Sequence, residues 1–275
     1  MTHPTEERSP SSVGLVRGPE LAGDVVGHGL FRMAPREVPA LRRRPGPVPE
    51  GWGRIPPSLL RYADEQTIAG TAAVFTAMEG MGSHPDQFHD WGVVAASRFL
   101  GRANLAVALR NFMAEGVWGT SPHLIPHFAL HSPSGTISLA LGSHGPNLGV
   151  GGGLHGAADG FLTALSWLST GVVPGVWLVL TGWAPELVPD PAGITAHAGE
   201  CLALALALVG TVNDGRRPSF RAVVGMDPFH VRPPLDLAWL EQRLTSPDEQ
   251  ASPTVASDHQ GRVRIELAGG SDEPE

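Results

Sequence analysis

His131-Ser-Pro-Ser-Gly135-Thr-Ile-Ser-Leu-Ala-Leu-Gly142-Ser-His-Gly145-Pro146-Asn147-Leu148-Gly149-Val150-Gly151-Gly152-Gly153-Leu154-His155-Gly156 decides how this chain is read. The apolar run from Gly135 to Leu141 stops at Gly142. An extended piece follows from Asn147 to Val150 and gives way to glycines. Beyond them Ala158, Phe161, Leu162, Leu165 and Leu168 fall on one stripe, which predicts a helix from Ala158 to Leu168 packed on a sheet. Extended segment, glycine turn and helix together are the unit of a layered α/β domain. Glycines before a helix can cradle phosphate, but a phosphate loop needs Gly-Lys-Ser/Thr, which is absent here. The small residues read instead as a place of close backbone approach.

The alternation extends outward on both sides. Leu60, Ala63, Thr67, Gly70, Val74 and Ala77 recur at helical spacing, predicting a helix over 59–78 with Gly80 as its stop. Trp91 to Ala96 suits a buried strand, and Asn104 to Glu115 an amphipathic helix with Leu105, Ala108, Leu109 and Phe112 on one face. Val176 to Leu180 is uninterrupted and apolar, as expected of a central strand covered on both faces. Cys201 to Val209 and Phe220 to Val224 complete the set. The expected organisation is a mobile N-terminus (1–11), one domain (12–230) and a largely disordered tail (231–275). The domain holds a Pro/Arg-rich loop at 33–57 and a weak β signal at Asp24 to Gly27; the tail has room for a short strand at Val263 to Ile265.

Composition narrows the function classes. A chain of 275 residues with 42% hydrophobic and 17% charged residues is a globular protein. A formal charge of −8, and no basic run longer than Arg42 to Arg44, argue against nucleic acid as a partner. Every basic side chain is arginine, so no Schiff-base lysine is available. The single cysteine, Cys201, excludes an internal disulfide and a cysteine metal cluster and fits a reducing cytoplasm. Within its apolar run it reads as a small core residue. The N-terminus lacks a signal-peptide pattern. The longest apolar stretch, Phe161 to Ala184, is broken by Gly171, Pro174 and Gly175, so no membrane span is expected.

The stretch 131–156 resembles the β-ketoacyl synthase segment in which a small-residue helix leads through Gly-Pro to a strand and then to the nucleophile. Gly153-Leu154-His155-Gly156 falls where that family carries Ala-Cys-x-Ser-Gly. The helix at Ala158 to Leu168, Gly171, and Val176 to Trp183 follow in the family's order, and Arg61 to Gly82 and Val93 to Ser97 match it upstream. Ser121-Pro122, Phe128 and Leu130-His131-Ser132 echo the chain-length-factor type. The resemblance covers about 60–225. It implies a thiolase-like half: layered α/β/α, with a mixed five-stranded sheet and covering helices. It also implies a missing nucleophile, because Leu154 cannot attack or be acylated, and condensation needs a thiolate at a helix N-terminus. The two histidines that the family's second half supplies have no counterpart, since no His-Gly-Thr element follows Met226.

What the resemblance implies is a non-catalytic subunit that pairs with a ketosynthase in fatty-acid or polyketide assembly, meeting acyl carrier protein through that partner. A homodimer, a self-associating scaffold without acyl substrate, and an acyl-processing enzyme of changed chemistry using His155 are the alternatives. Candidate pocket or interface residues are His131, Asn147, Val150, Gly153, Leu154 and His155. His155 and Asp159, spaced i and i+4, could form a base with its orienting carboxylate, or could simply serve the helix N-terminus. His123, His127 and His131 recur every fourth residue as metal ligands on a helix would, but Pro122, Pro126 and Pro133 argue against a regular helix there. His84 and His89 beside Asp86 and Asp90 are a second such cluster. No cofactor or metal is expected.

Overall fold

The longest apolar runs become the middle of a sheet. The computed structural model describes residues 17–43, 55–122, 124–195, 199–211, 219–225, 237–245 and 263–268. Its strands are β1 (Arg17–Met33), β2 (Gly92–Arg98), β3 (Asn147–Gly152), β4 (Gly175–Ala184), β5 (Glu200–Val209), β6 (Ser219–Gly225) and β7 (Val263–Ala268). They lie in the order β3-β2-β4-β5-β1-β6-β7. Strands β3, β2 and β4 are parallel, and β5 is antiparallel to both β4 and β1. These make up the mixed five-stranded set expected from the sequence, and β6 and β7 extend it beyond β1.

The helices are α1 (Val38–Leu41), α2 (Pro57–Arg61), α3 (Glu65–Met81), α4 (Arg102–Glu115), α5 (Leu124–Phe128), α6 (His131–Leu141), α7 (Gly156–Ser169) and α8 (Leu237–Thr245). Helices α3 and α6 cover one face of the sheet, and α7 and α8 the other, giving three layers. Strand β5 shows how the faces differ. Cys201, Ala203, Ala205 and Ala207 join the core under α3, while Leu204, Leu206 and Leu208 join the core under α7.

Packing overrode propensity in β1. The weak signal at Asp24 to Gly27 becomes a strand of 17 residues, and the glycines that weaken the signal are what the packing requires. A Cβ on Gly29 would strike the α3 backbone at Ala73 and Ala77, and one on Gly27 would strike the Met81 side chain. The helix read over 59–78 is two helices. Asp64 caps α3 by accepting a hydrogen bond from the Gln66 amide at 2.9 Å, and α3 runs past Gly80 to a left-handed stop at Gly82, φ 58°. Pro126 and Pro133 each fall in the first turn of a helix, where their missing N–H costs nothing.

The helix read at Asn104 to Glu115 is present as α4, and its apolar face is exposed: Leu105, Leu109 and Phe112 are 40, 60 and 46% exposed, and no residue of the helix is buried. Within the tail, read as largely disordered, the described residues are 237–245 and 263–268. Helix α8 lies on β5 and β4, burying Leu240, and β7 pairs with β6, burying Ile265. The short strand read at Val263 to Ile265 is the first half of β7, whereas α8 was not read, because the apolar pattern of a short helix between polar segments is diluted. Part of the loop read at 33–57 is likewise helical, at Pro35–Glu37 and in α1. Residues 1–11, read as mobile, lie outside the described residues.

Candidate functional site

The parallel strands β3, β2 and β4 all end on one side of the domain, at Gly152, Arg98 and Ala184. The sequence needs glycine at the end of β3 for two reasons. Gly151 and Gly152 have φ of +81° and +96°. A side chain on Gly151 would also strike the Gly156 backbone, and one on Gly149 would strike the Leu130 carbonyl. The glycine cluster therefore holds backbone against backbone, as read from the sequence, and brings the start of α6 against β3.

The turn Gly153-Leu154-His155 follows, closed by the Gly156 amide donating to the Gly153 carbonyl at 3.2 Å. Leu154 is 48% exposed on this turn, immediately before α7. His155 is the N-cap residue of α7, half-buried, and makes no side-chain cap hydrogen bond. Its carbonyl accepts from the amides of Ala158 and Asp159 at 2.9 and 3.4 Å. Asp159 is exposed on the first turn of α7.

The other candidates divide by place. His131 opens α6, exposed, with its ring over Gly135 and Ser134 Oγ donating to its carbonyl at 3.0 Å. Val150 is half-buried against the core under α7. Asn147 lies at the far end of β3 from Leu154, its Oδ1 buried with no hydrogen-bond partner. Leu148, on the same strand, is 42% exposed. Among the described residues no strand pairs with the outer edge of β3.

The histidine clusters assemble no metal centre among the described residues. His123 lies outside them, and the His127 ring packs against Tyr62 at 5.6 Å between centroids. His89 Nδ1 is 2.8 Å from Asp90 and its ring stacks on His144 at 4.4 Å, whereas His84 lies 3.7 Å from Asp86. Cys201 is fully buried in β5, and burial pushes its thiol well above the ordinary range, with the charges of Asp64, Glu65 and Glu186 adding to the effect.

One polar cluster was not legible in the sequence. At the end of β2 and β4, under α3, the Thr181 hydroxyl donates to Gln66 Oε1 at 2.8 Å and lies 2.8 Å from Ser97 Oγ, while Gln66 Nε2 donates to the Arg98 carbonyl at 3.0 Å. Arg98 Nε donates to Glu186 at 2.7 Å. Asp64, 3% exposed, lies beside this network. Desolvation, then the charge of Glu65, raises its carboxyl to about 7, and hydrogen bonds from Gln66, Asn104 and the Gly101 amide oppose the shift. The only sequence signal was the Asp before a helix; its partner Asn104 comes from a distant helix.

No protein-family profile matches the chain, and no curated protein matches it in sequence. Solved structures do. A chain of the AntDE:AntF complex, a type II polyketide synthase acyl-carrier protein with its ketosynthase bound to the hexaketide, superposes with TM-score 0.51 at 16% identity, over 70% of this chain and 63% of that one. A chain of the ketosynthase ApeO–chain length factor ApeC complex from Xenorhabdus doucetiae gives 0.49 at 15% identity, over 92% of this chain and 98% of that one. Ketosynthase twelve of the bacillaene synthase from Bacillus amyloliquefaciens gives 0.47 at 13%, over 77% of this chain and 46% of that one. The fold is that of the thiolase-like ketosynthases. This chain spans under two thirds of the first of these proteins.

Proposed function

We propose that the chain is a non-catalytic ketosynthase-like subunit that pairs with an active ketosynthase and shapes its acyl tunnel, in the manner of a chain length factor. The observation that carries the reading is Leu154. It occupies the exposed strand-to-helix turn where a nucleophile of this fold would gain from the helix N-terminus, and its side chain has no atom that can form a thioester. Cys201 cannot substitute, because it is buried within β5. What supports the pairing is the outer edge of β3, which has no strand partner among the described residues and carries the exposed Leu148, since such an edge is a template for pairing.

The test joins intact mass with light scattering. The chain incubated with acyl-CoA or acylated carrier protein is expected to gain no mass, and mixed with a ketosynthase encoded beside it to form a stable heterodimer. A stable acyl adduct on this chain overturns the non-catalytic reading. A monomer that ignores the ketosynthase overturns the pairing, and a homodimer that excludes it favours the scaffold reading.

A further inference from the structure

The chain carries a formal charge of −8, so a place where positive charge gathers with little acid beside it needs a reason. One such place is a cavity of about 350 Å³ lined by Arg42, Arg43, Ile55, Leu60 and Arg61. Two segments build it. Arg42 is the C-cap residue of α1, Arg43 follows it, and Arg61 is the last residue of α2. A helix C-terminus favours a cation, which accounts for each arginine singly. It does not account for two helices, 4 and 5 residues long, delivering three guanidinium groups to one cavity. Cations gathered in this way repel one another, and a bound anion relieves the repulsion.

The protein supplies little of that relief itself. Glu65 Oε1 lies 3.3 Å from Arg42 Nη2, and the same nitrogen donates to the Ala63 carbonyl at 3.1 Å. Glu65 is shared, because its other oxygen accepts from Asn104 Nδ2 at 3.3 Å. Arg42 Nε has no acceptor. Arg43 and Arg61 are exposed and form no ion pair among the described residues. One carboxylate against three guanidinium groups leaves the cavity with two positive charges. The remaining wall is apolar: Leu60 is buried, and Ile55 packs against the core under α3.

The complement of such a site is a doubly charged anion with several acceptor oxygens and a small apolar body. A carboxylate brings one charge. A phosphate monoester brings close to two at neutral pH and three acceptor oxygens, and guanidinium groups match phosphate oxygens in a planar, two-point geometry. The volume lies within the range of small-molecule sites, about 300–1,000 Å³. We propose that this cavity binds a small phosphate monoester, with the phosphate held by Arg42, Arg43 and Arg61 and the carbon body laid against Ile55 and Leu60. None of these residues belongs to the turn at Leu154, so the two sites are distinct and this one does not depend on pairing with a ketosynthase.

Calorimetric titration of the full chain at low ionic strength tests this, with phenyl phosphate as the probe. One equivalent is expected to bind, at least about tenfold tighter than benzoate, which has the same ring and a single charge. Inorganic phosphate is expected to bind more weakly than phenyl phosphate, because it leaves Ile55 and Leu60 uncovered. Arg43→Gln and Arg61→Gln remove exposed cations that hold no other group, so circular dichroism should be unchanged while affinity falls at least about tenfold in each. Arg110→Gln, on α4 and outside the cavity, removes the same charge and is expected to bind like the wild type. No saturable binding, benzoate binding as tightly as phenyl phosphate, or Arg110→Gln weakening the complex as much as Arg43→Gln would each overturn the proposal. Inorganic phosphate binding as tightly as phenyl phosphate would overturn the role given to Ile55 and Leu60.

Discussion

Gly151 and Gly156 meet backbone to backbone beneath the turn that carries Leu154. A Cβ on Gly151 would strike the Gly156 backbone, and Gly151 adds a φ of +81° that L side chains rarely adopt. Gly151→Ala is therefore expected to destabilise the protein by at least about 1–3 kcal/mol through backbone strain alone. Urea unfolding measures this, and a loss under about 0.5 kcal/mol, the size of an ordinary surface substitution, would show that the close approach is dispensable.

The α7 layer gives a second expectation. Leu165 is fully buried between α7 and the sheet, in a core with Phe161, Leu178 and Phe220. Leu165→Ala is expected to cost about 2–5 kcal/mol, the usual range for a buried leucine that leaves a cavity. Chemical denaturation with an unchanged m-value would confirm that packing alone was lost.

Global stability should also depend on pH through Asp64. Its folded carboxyl is raised from 3.8 to about 7, so the folded state holds the proton more tightly than the unfolded chain. The resulting stabilisation is complete below about pH 4 and fades as the pH rises through about 7. His28 runs the other way, because burial lowers its imidazole and its effect destabilises toward acid. The difference between wild type and Asp64→Asn isolates the carboxyl. Denaturation midpoints of the two proteins should diverge as the pH rises from about 5 to about 8, with the wild type falling more steeply. Parallel curves would contradict the buried-carboxyl account.

Assembly is tested at Val150. It is half-buried on the edge strand, facing the core under α7. Val150→Asp is expected to abolish pairing with a partner or to cause aggregation, with circular dichroism distinguishing loss of assembly from loss of fold. Unaltered assembly by light scattering would exclude this edge as the interface.

The legible part of the fold was whatever carried strong apolar periodicity. Strands β2, β4 and β5 and helix α7 matched because their burial is continuous and their residues say so. The strand-to-helix turn at Leu154 was legible because glycines with special backbone demands leave a mark in the sequence. Other features left none. Strand β1 was nearly invisible because Gly27 and Gly29 serve α3 rather than strand propensity. For α4 periodicity reported an amphipathic helix and left open whether this chain covers its apolar side, which is exposed. The polar cluster of Asp64, Gln66, Asn104 and Thr181 joins residues from distant segments, so only the fold brings them together.

The alternation along β5 has a further consequence. A strand covered on both faces is apolar at every position, so water cannot tell one face from the other. Here the distinction is carried by bulk: Cys201, Ala203, Ala205 and Ala207 against Leu204, Leu206 and Leu208. Sliding β5 by a single residue would keep the ladder's pattern of hydrogen bonds and the apolar contacts in kind, yet drive leucines into the space that α3 has closed to all but small side chains. The reading frame of this strand is thus written in volume, and its error check is steric exclusion.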